Sequence, residues 1–119
     1  MNRIRILLAV ALAAGCGMSS GTTLPSEAPS IEGTIQQSSA TQAGRRILVE
    51  ATAPVAGRES AAYITVLPGA VVLAGSAETV VRASADELVV GARVRVWFTG
   101  PVAESFPVQA TAGTVLILR

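Results

Sequence analysis

The sequence predicts an all-β protein, a small barrel of five or six short strands with one short helical turn, set behind an export signal and a flexible tether. Three observations carry that expectation. Short runs of Val, Ile, Leu and Ala alternate with polar residues at a period of two, the spacing of half-buried strands. Gly- and Pro-bearing stretches interrupt those runs every few residues. Half of the 119 residues are hydrophobic but only 3% are aromatic, so any core is built of small aliphatic groups, and a closed barrel protects the edges of such short strands.

The N-terminal layout is that of an export signal over residues 1–15. Arg3 and Arg5 give it a positive start, Ile6 to Ala14 supply about nine apolar residues, and Leu12-Ala13-Ala14-Gly15 sets small residues before Cys16. A run this short falls well below the roughly 20 residues of a membrane-spanning helix. The string LLAVALAAGC resembles a bacterial lipoprotein signal. That resemblance implies that Cys16 is the lipidated, palmitate-bearing first residue of the mature chain, held on the exported side of a membrane of the bacterial cell envelope. Residues 16–30, rich in Gly, Ser, Thr and Pro, are then the flexible tether, and residues 31–119 form the barrel domain.

The first strand begins at Ile31, where Ile31, Gly33 and Ile35 alternate with Glu32, Thr34 and Gln36. The second runs through Ile47, Val49 and Ala51, with the SSATQAG segment of Ser38 to Gly44 as a loose connection. Ala61 to Leu67 is the third, closed by Pro68-Gly69. A strand resumes at Val71 to Leu73, and Glu78 to Arg82 is a further extended piece. Ser84 caps a short helical turn, with Glu87 three residues on to complete a capping box. Arg93 to Phe98 is the clearest strand, with Val94, Val96 and Phe98 facing the core and Arg93, Arg95 and Trp97 facing outward as a solvated ladder or a binding surface. In the ladder reading, Trp97 lies beside Arg95 with a modest cation-π contribution. A short strand over Pro107 to Ala110 leads to Thr114 to Leu118, apolar at successive positions and therefore buried on both faces. Trp97, Phe98, Phe106 and Tyr63 are expected to contribute more than their share of buried area.

Composition then narrows the chemistry. The nine basic residues are all arginine and two lie in the signal, so the mature part carries seven against eight carboxylates. No concentrated basic excess marks a nucleic-acid partner. Lysine and histidine are absent and Cys16 is consumed by the anchor, which leaves a serine nucleophile without its base and a zinc or copper ion without its usual ligands. We therefore expect no catalytic residue, no metal site and no cofactor. Carboxylate chemistry is the surviving enzymatic alternative, acting on envelope glycans with Glu104 as the foremost participant.

From Asp86 onward, the string DELVVGARVRVWFTGPVAESFPVQATAGTVLIL resembles the YobA-like lipoproteins, a bacterial family of small exported proteins without an established activity. The matching pieces are Leu88 to Gly91, Val96-Trp97-Phe98, Gly100, Glu104-Ser105-Phe106-Pro107 and Gln109-Ala110, with Glu32-Gly33-Thr34-Ile35 a weaker echo upstream. The resemblance implies an OB-like barrel of five strands. Barrels of that kind bind oligosaccharides or oligonucleotides on one face, so Arg95, Trp97, Glu104, Ser105 and Gln109 are the candidate ligand-binding set, with Trp97 as stacking platform and Gln109 as amide partner. The competing reading makes the ESFP segment only a bend fixed by Pro101 and Pro107. The expected partners are the membrane, through the lipid, and an envelope glycan or protein. Docking through the loop from Ala53 to Ser60, as an inhibitor or assembly factor would use it, is a further alternative.

Overall fold

The computed structural model describes residues 23–53, 58–76 and 78–119. The expected export signal, Cys16, the expected tether as far as residue 22, and residues 54–57 of the loop considered for docking lie outside the described residues. Seven strands and one 3₁₀ turn follow in order: β1 (Ile31–Thr41), β2 (Gly44–Ala51), β3 (Ala61–Val66), β4 (Val71–Gly75), β5 (Val80–Arg82), the turn Ala85–Glu87, β6 (Arg93–Ala103) and β7 (Val108–Leu118).

Five of the strands close a ring. β1 pairs with β2 and β6, β2 with β3, and β6 with β7, all antiparallel, while β3 meets β7 in parallel and shuts the barrel. This is an OB-like order, as expected. The other two strands are an appendage: β4 pairs in parallel with the later half of β7, and β5 pairs antiparallel with β4. β3 and β4 thus lie one after the other along the same edge of β7. Between them, Pro68 cannot donate to a ladder, and the Ala70 N–H turns back to the Leu67 carbonyl at 3.0 Å.

The barrel interior is aliphatic, with Ile31, Ile35, Ile47, Val49, Ile64, Val94, Val96 and Val115 essentially without exposure. A second, smaller cluster sits on the outer face of the β6–β7–β4 sheet. There Leu73, Trp97 and Leu116 are buried against Leu24, Val71, Val80 and Leu118. β7 therefore sends Val115 and Ile117 into the barrel and Leu116 and Leu118 into the outer cluster, which bears out the expected two-faced burial.

Several expectations need correction. The Ser38–Gly44 segment is not a loose loop: β1 runs to Thr41 and turns through Gln42 and Ala43 into Gly44, with Ser38 opposite Ile47 and Ala40 opposite Arg45. The ladder outlasts the hydrophobic alternation because backbone pairing needs no apolar side chain, and Gly44 supplies the φ of +143° that the tight turn requires. β5 begins only at Val80, and β7 is one continuous strand rather than two.

The aromatic residues also depart from expectation. Trp97 is 7% exposed, but Phe106 is 80% exposed at the β6–β7 turn, and Phe98 and Tyr63 are half-buried. Aliphatic side chains fill this narrow interior instead. The capping box, by contrast, is present as expected. Ser84 Oγ accepts from the Asp86 N–H at 3.2 Å, and Glu87 Oε2 accepts from the Ser84 N–H at 2.9 Å.

The last part of the presumed tether is bound to the barrel. Leu24 packs on the outer cluster, Trp97 Nε1 donates to the Glu27 carbonyl at 2.9 Å, and the Ser30 N–H donates to the Val96 carbonyl at 2.8 Å. Ser30 Oγ accepts from the Phe98 N–H at 3.0 Å. These contacts make residues 24–30 a strap over β6.

Candidate functional site

Strand register assembles one outward face from four strands of the ring. Gln37, Leu48, Tyr63 and Gln109 are successive partners across β1, β2, β3 and β7. Beside them run Ser39, Arg46, Thr65 and Thr111, and Thr99 of β6 extends that second row. Each arises from simple alternation, since Arg46 and Leu48 flank the buried Ile47, while Tyr63 and Thr65 flank the buried Ile64.

Arg46 stands opposite Thr65 and is therefore the diagonal neighbour of Tyr63, a position from which a long side chain reaches an aromatic ring. Its guanidinium carbon lies 4.5 Å from the centre of the Tyr63 ring. The contact holds the ring and the cation together, and the exposed Glu50, opposite Ala61, is the other diagonal neighbour of Tyr63 on the same outward face. Two shallow hollows flank the stack. One, of about 380 Å³, is lined by Gln37, Ser39, Arg46, Leu48 and Tyr63. The other, of about 330 Å³, is lined by Thr65, Pro101, Val102, Ala103, Gln109 and Thr111. Hydroxyl, amide, guanidinium and phenol groups thus share one surface, with apolar floor between them.

The five residues expected to form the site do not converge. Gln109 lies on this face, and Glu104 and Ser105 are exposed in the turn that follows β6. Trp97 is opposite Thr114, five residues beyond Gln109 on β7, or roughly 17 Å along the strand. It is covered by Leu24 and offers no stacking platform. Arg95 belongs to a third place: its Nε donates to Glu32 Oε1 at 3.1 Å, and Arg93 flanks the same carboxylate at 3.7 Å. The arginine–aromatic stack is accordingly that of Arg46 on Tyr63, not Arg95 on Trp97.

At the β6–β7 turn, Ser105 Oγ donates to the Pro107 carbonyl at 2.9 Å and its N–H donates to the Ala103 carbonyl at 3.0 Å. Both bonds are internal to the turn, so Ser105 shapes the bend. Glu104 forms no ion pair among the described residues, and no carboxylate lines the neighbouring hollow. No cluster of three or more metal-ligating side chains occurs among the described residues. The Ser84 N–H and then the Arg119 guanidinium hold the Glu87 carboxyl below the ordinary carboxylate range.

Arg46, Tyr63, Thr65 and Thr111 were missed by sequence reasoning. The signal available was the outward aromatic at position 63, midway along an otherwise alternating apolar strand. The parallel β3–β7 pairing that carries the face onto Gln109 is a long-range relation with no local mark.

The fold and this face together define a small OB-like β-barrel domain. A family model described as "Protein of unknown function (DUF3221)" matches residues 55–119, and the chain belongs to that family. The match takes in β3 to β7, including Tyr63 and Gln109, while β1 and β2 lie before it. No curated protein and no solved structure matches the chain.

Proposed function

We propose that this chain is an exported lipoprotein of the bacterial envelope, of the YobA-like kind, acylated at Cys16, whose barrel binds an extended glycan without transforming it. The observation that carries the binding reading is the Arg46–Tyr63 stack at the centre of the outward β1–β2–β3–β7 face. In OB-type barrels the surface of the second and third strands, with the loops at its ends, is where oligosaccharides and oligonucleotides lie. Here the loop after β6 is the 104–107 turn, which puts Glu104, Ser105 and the exposed Phe106 beside that surface.

Charge favours a sugar over a nucleic acid. The face holds Arg46 and the carboxylate of Glu50 among Gln37, Ser39, Thr65, Gln109 and Thr111, which suits hydroxyl and amide partners and supplies no net phosphate neutralisation. Neighbouring strands are about 4.8 Å apart, so four of them span roughly 15 to 20 Å, room for a short run of sugar rings. A binding role is further supported by residue types: the mature chain offers no histidine, lysine or free thiol, and neither Glu104 nor another carboxylate lines the hollow beside the 104–107 turn. The anchor reading rests on the LLAVALAAGC string alone.

Titration of the full chain with soluble peptidoglycan fragments, followed by amide shifts, tests the proposal. Saturable shifts at Arg46, Tyr63 and Gln109, weakened up to about tenfold by Tyr63→Ala, are expected. Absence of saturable binding, or binding indifferent to that substitution, overturns it.

A further inference from the structure

At the barrel end away from the 104–107 turn lies a groove of about 380 Å³ that the glycan face does not use. Its floor is apolar, formed by Val66, Leu67 and Val72, and its walls carry Arg45, Arg82 and Asp86. The volume is near the lower end of the range for small-molecule sites, so any occupant is small.

Arg45 is the unusual member. Its side chain is 19% exposed, whereas the carboxylate that faces it, Asp86 at 3.3 Å, is 88% exposed. A part-buried arginine side chain is thus answered by an acid that stands in water, where an ion pair is weak and easily exchanged. Ser38 Oγ accepts from Nη1 at 3.0 Å and Asp86 from Nη2, which together occupy two of the five N–H donors a guanidinium carries. Arg82, exposed on β5, forms no ion pair among the described residues. Two cations against one carboxylate leave the groove one positive charge in excess, directly above an apolar floor.

We propose that this groove binds a small organic monoanion with a short apolar tail. The carboxylate is received by the planar fork of Arg45, taking the place of Asp86, and by Arg82, while the tail lies on Val66, Leu67 and Val72. The anionic head satisfies the excess charge, and the tail covers the floor that a bare inorganic anion would leave wet.

The test uses three probes on the full chain: hexanoate, hexanol and inorganic phosphate, followed by the amide signals of Gly44, Ala70 and Ala83 around the groove. Hexanoate is expected to give saturable shifts there, with hexanol and phosphate each at least about tenfold weaker. Arg82→Gln, at an exposed position that leaves the amide spectrum otherwise intact, is expected to weaken hexanoate about fivefold. Arg45→Gln is expected to abolish the shifts, and its folding is checked on the same spectra. Equal binding of hexanol would reduce the groove to an apolar patch, and equal binding of phosphate would make it a plain anion site. Either result, the absence of saturable shifts, or indifference to Arg82→Gln overturns the proposal.

Discussion

Trp97 Nε1 donates to the backbone carbonyl of Glu27 at 2.9 Å, seventy residues away in the chain. The bond orients the indole so that its apolar surface meets Leu73, Leu116 and Leu24, and it satisfies the one polar atom the side chain brings to that cluster. The strap is therefore part of the folded unit, and the barrel's second apolar face depends on residues that composition alone would assign to a linker.

Trp97→Ala should cost ~3–5 kcal/mol, because a large buried ring leaves a cavity that β6 and β7 cannot collapse. Trp97→Phe keeps most of the packing and should cost about 1–2 kcal/mol through the lost bond to Glu27 and the smaller ring. Phe106→Ala, at an exposed position, should fall within about 0.5 kcal/mol of the parent protein. Urea unfolding midpoints of the three variants give the comparison, and a Phe106 effect as large as that of Trp97 would contradict this assignment of the cores.

Gly33→Ala should destabilise by at least ~2 kcal/mol. A Cβ at that position would sit 1.9 Å from the Glu50 carbonyl oxygen, which is backbone of the paired strand and cannot swing aside. Thermal unfolding reads the loss directly. A near-neutral result would mean that β1 and β2 do not approach each other as closely as described.

Glu87 should make stability sensitive to acid. Its folded pKa lies below the ordinary value of 4.5, since the Ser84 N–H and Arg119 favour the ionised form. The contribution is thus fully present above the unfolded pKa and is lost as the pH falls through the folded one. Glu87→Gln should be less stable than the parent at pH 7 and should converge with it at strongly acid pH, as judged by denaturant titration at both. A difference between the two proteins that did not change with pH would remove the electrostatic explanation.

Cys16→Ser should move the protein from the membrane fraction to the soluble one and abolish incorporation of labelled palmitate. Fractionation and labelling of cells making the two proteins check this. Unchanged retention would sink the anchor reading.

Much of the fold was legible where the signal is local. The Arg93–Phe98 alternation, the Ser84–Glu87 capping box and the doubly apolar Thr114–Leu118 run each specify their structure within a few residues. What escaped was set by distant partners. The polar stretch Gln37 to Thr41 becomes strand because Gly44 to Leu48 folds back along it, and Trp97 is buried because Leu24 crosses β6. For the site, the outward placement of Gln109 could be read from period-two alternation, but its neighbourhood with Tyr63 depends on the parallel β3–β7 ladder. Arg95 was drawn away from any shared surface by Glu32, whose place opposite it is likewise a matter of register.

β7 pairs with β6 on one side and with β3 and then β4 on the other, and it follows all six other strands in the chain. During synthesis, the β1–β2–β3 meander and the β4–β5 hairpin can pair locally as they emerge, and β6 can then add to β1, but the ring stays open and the hairpin has no strand to join it to the barrel. Closure of the ring and attachment of the hairpin both wait for β7, so the growing chain carries unpaired edges on β3, β4 and β6 until β7 arrives and then gains most of its cooperativity in one late event.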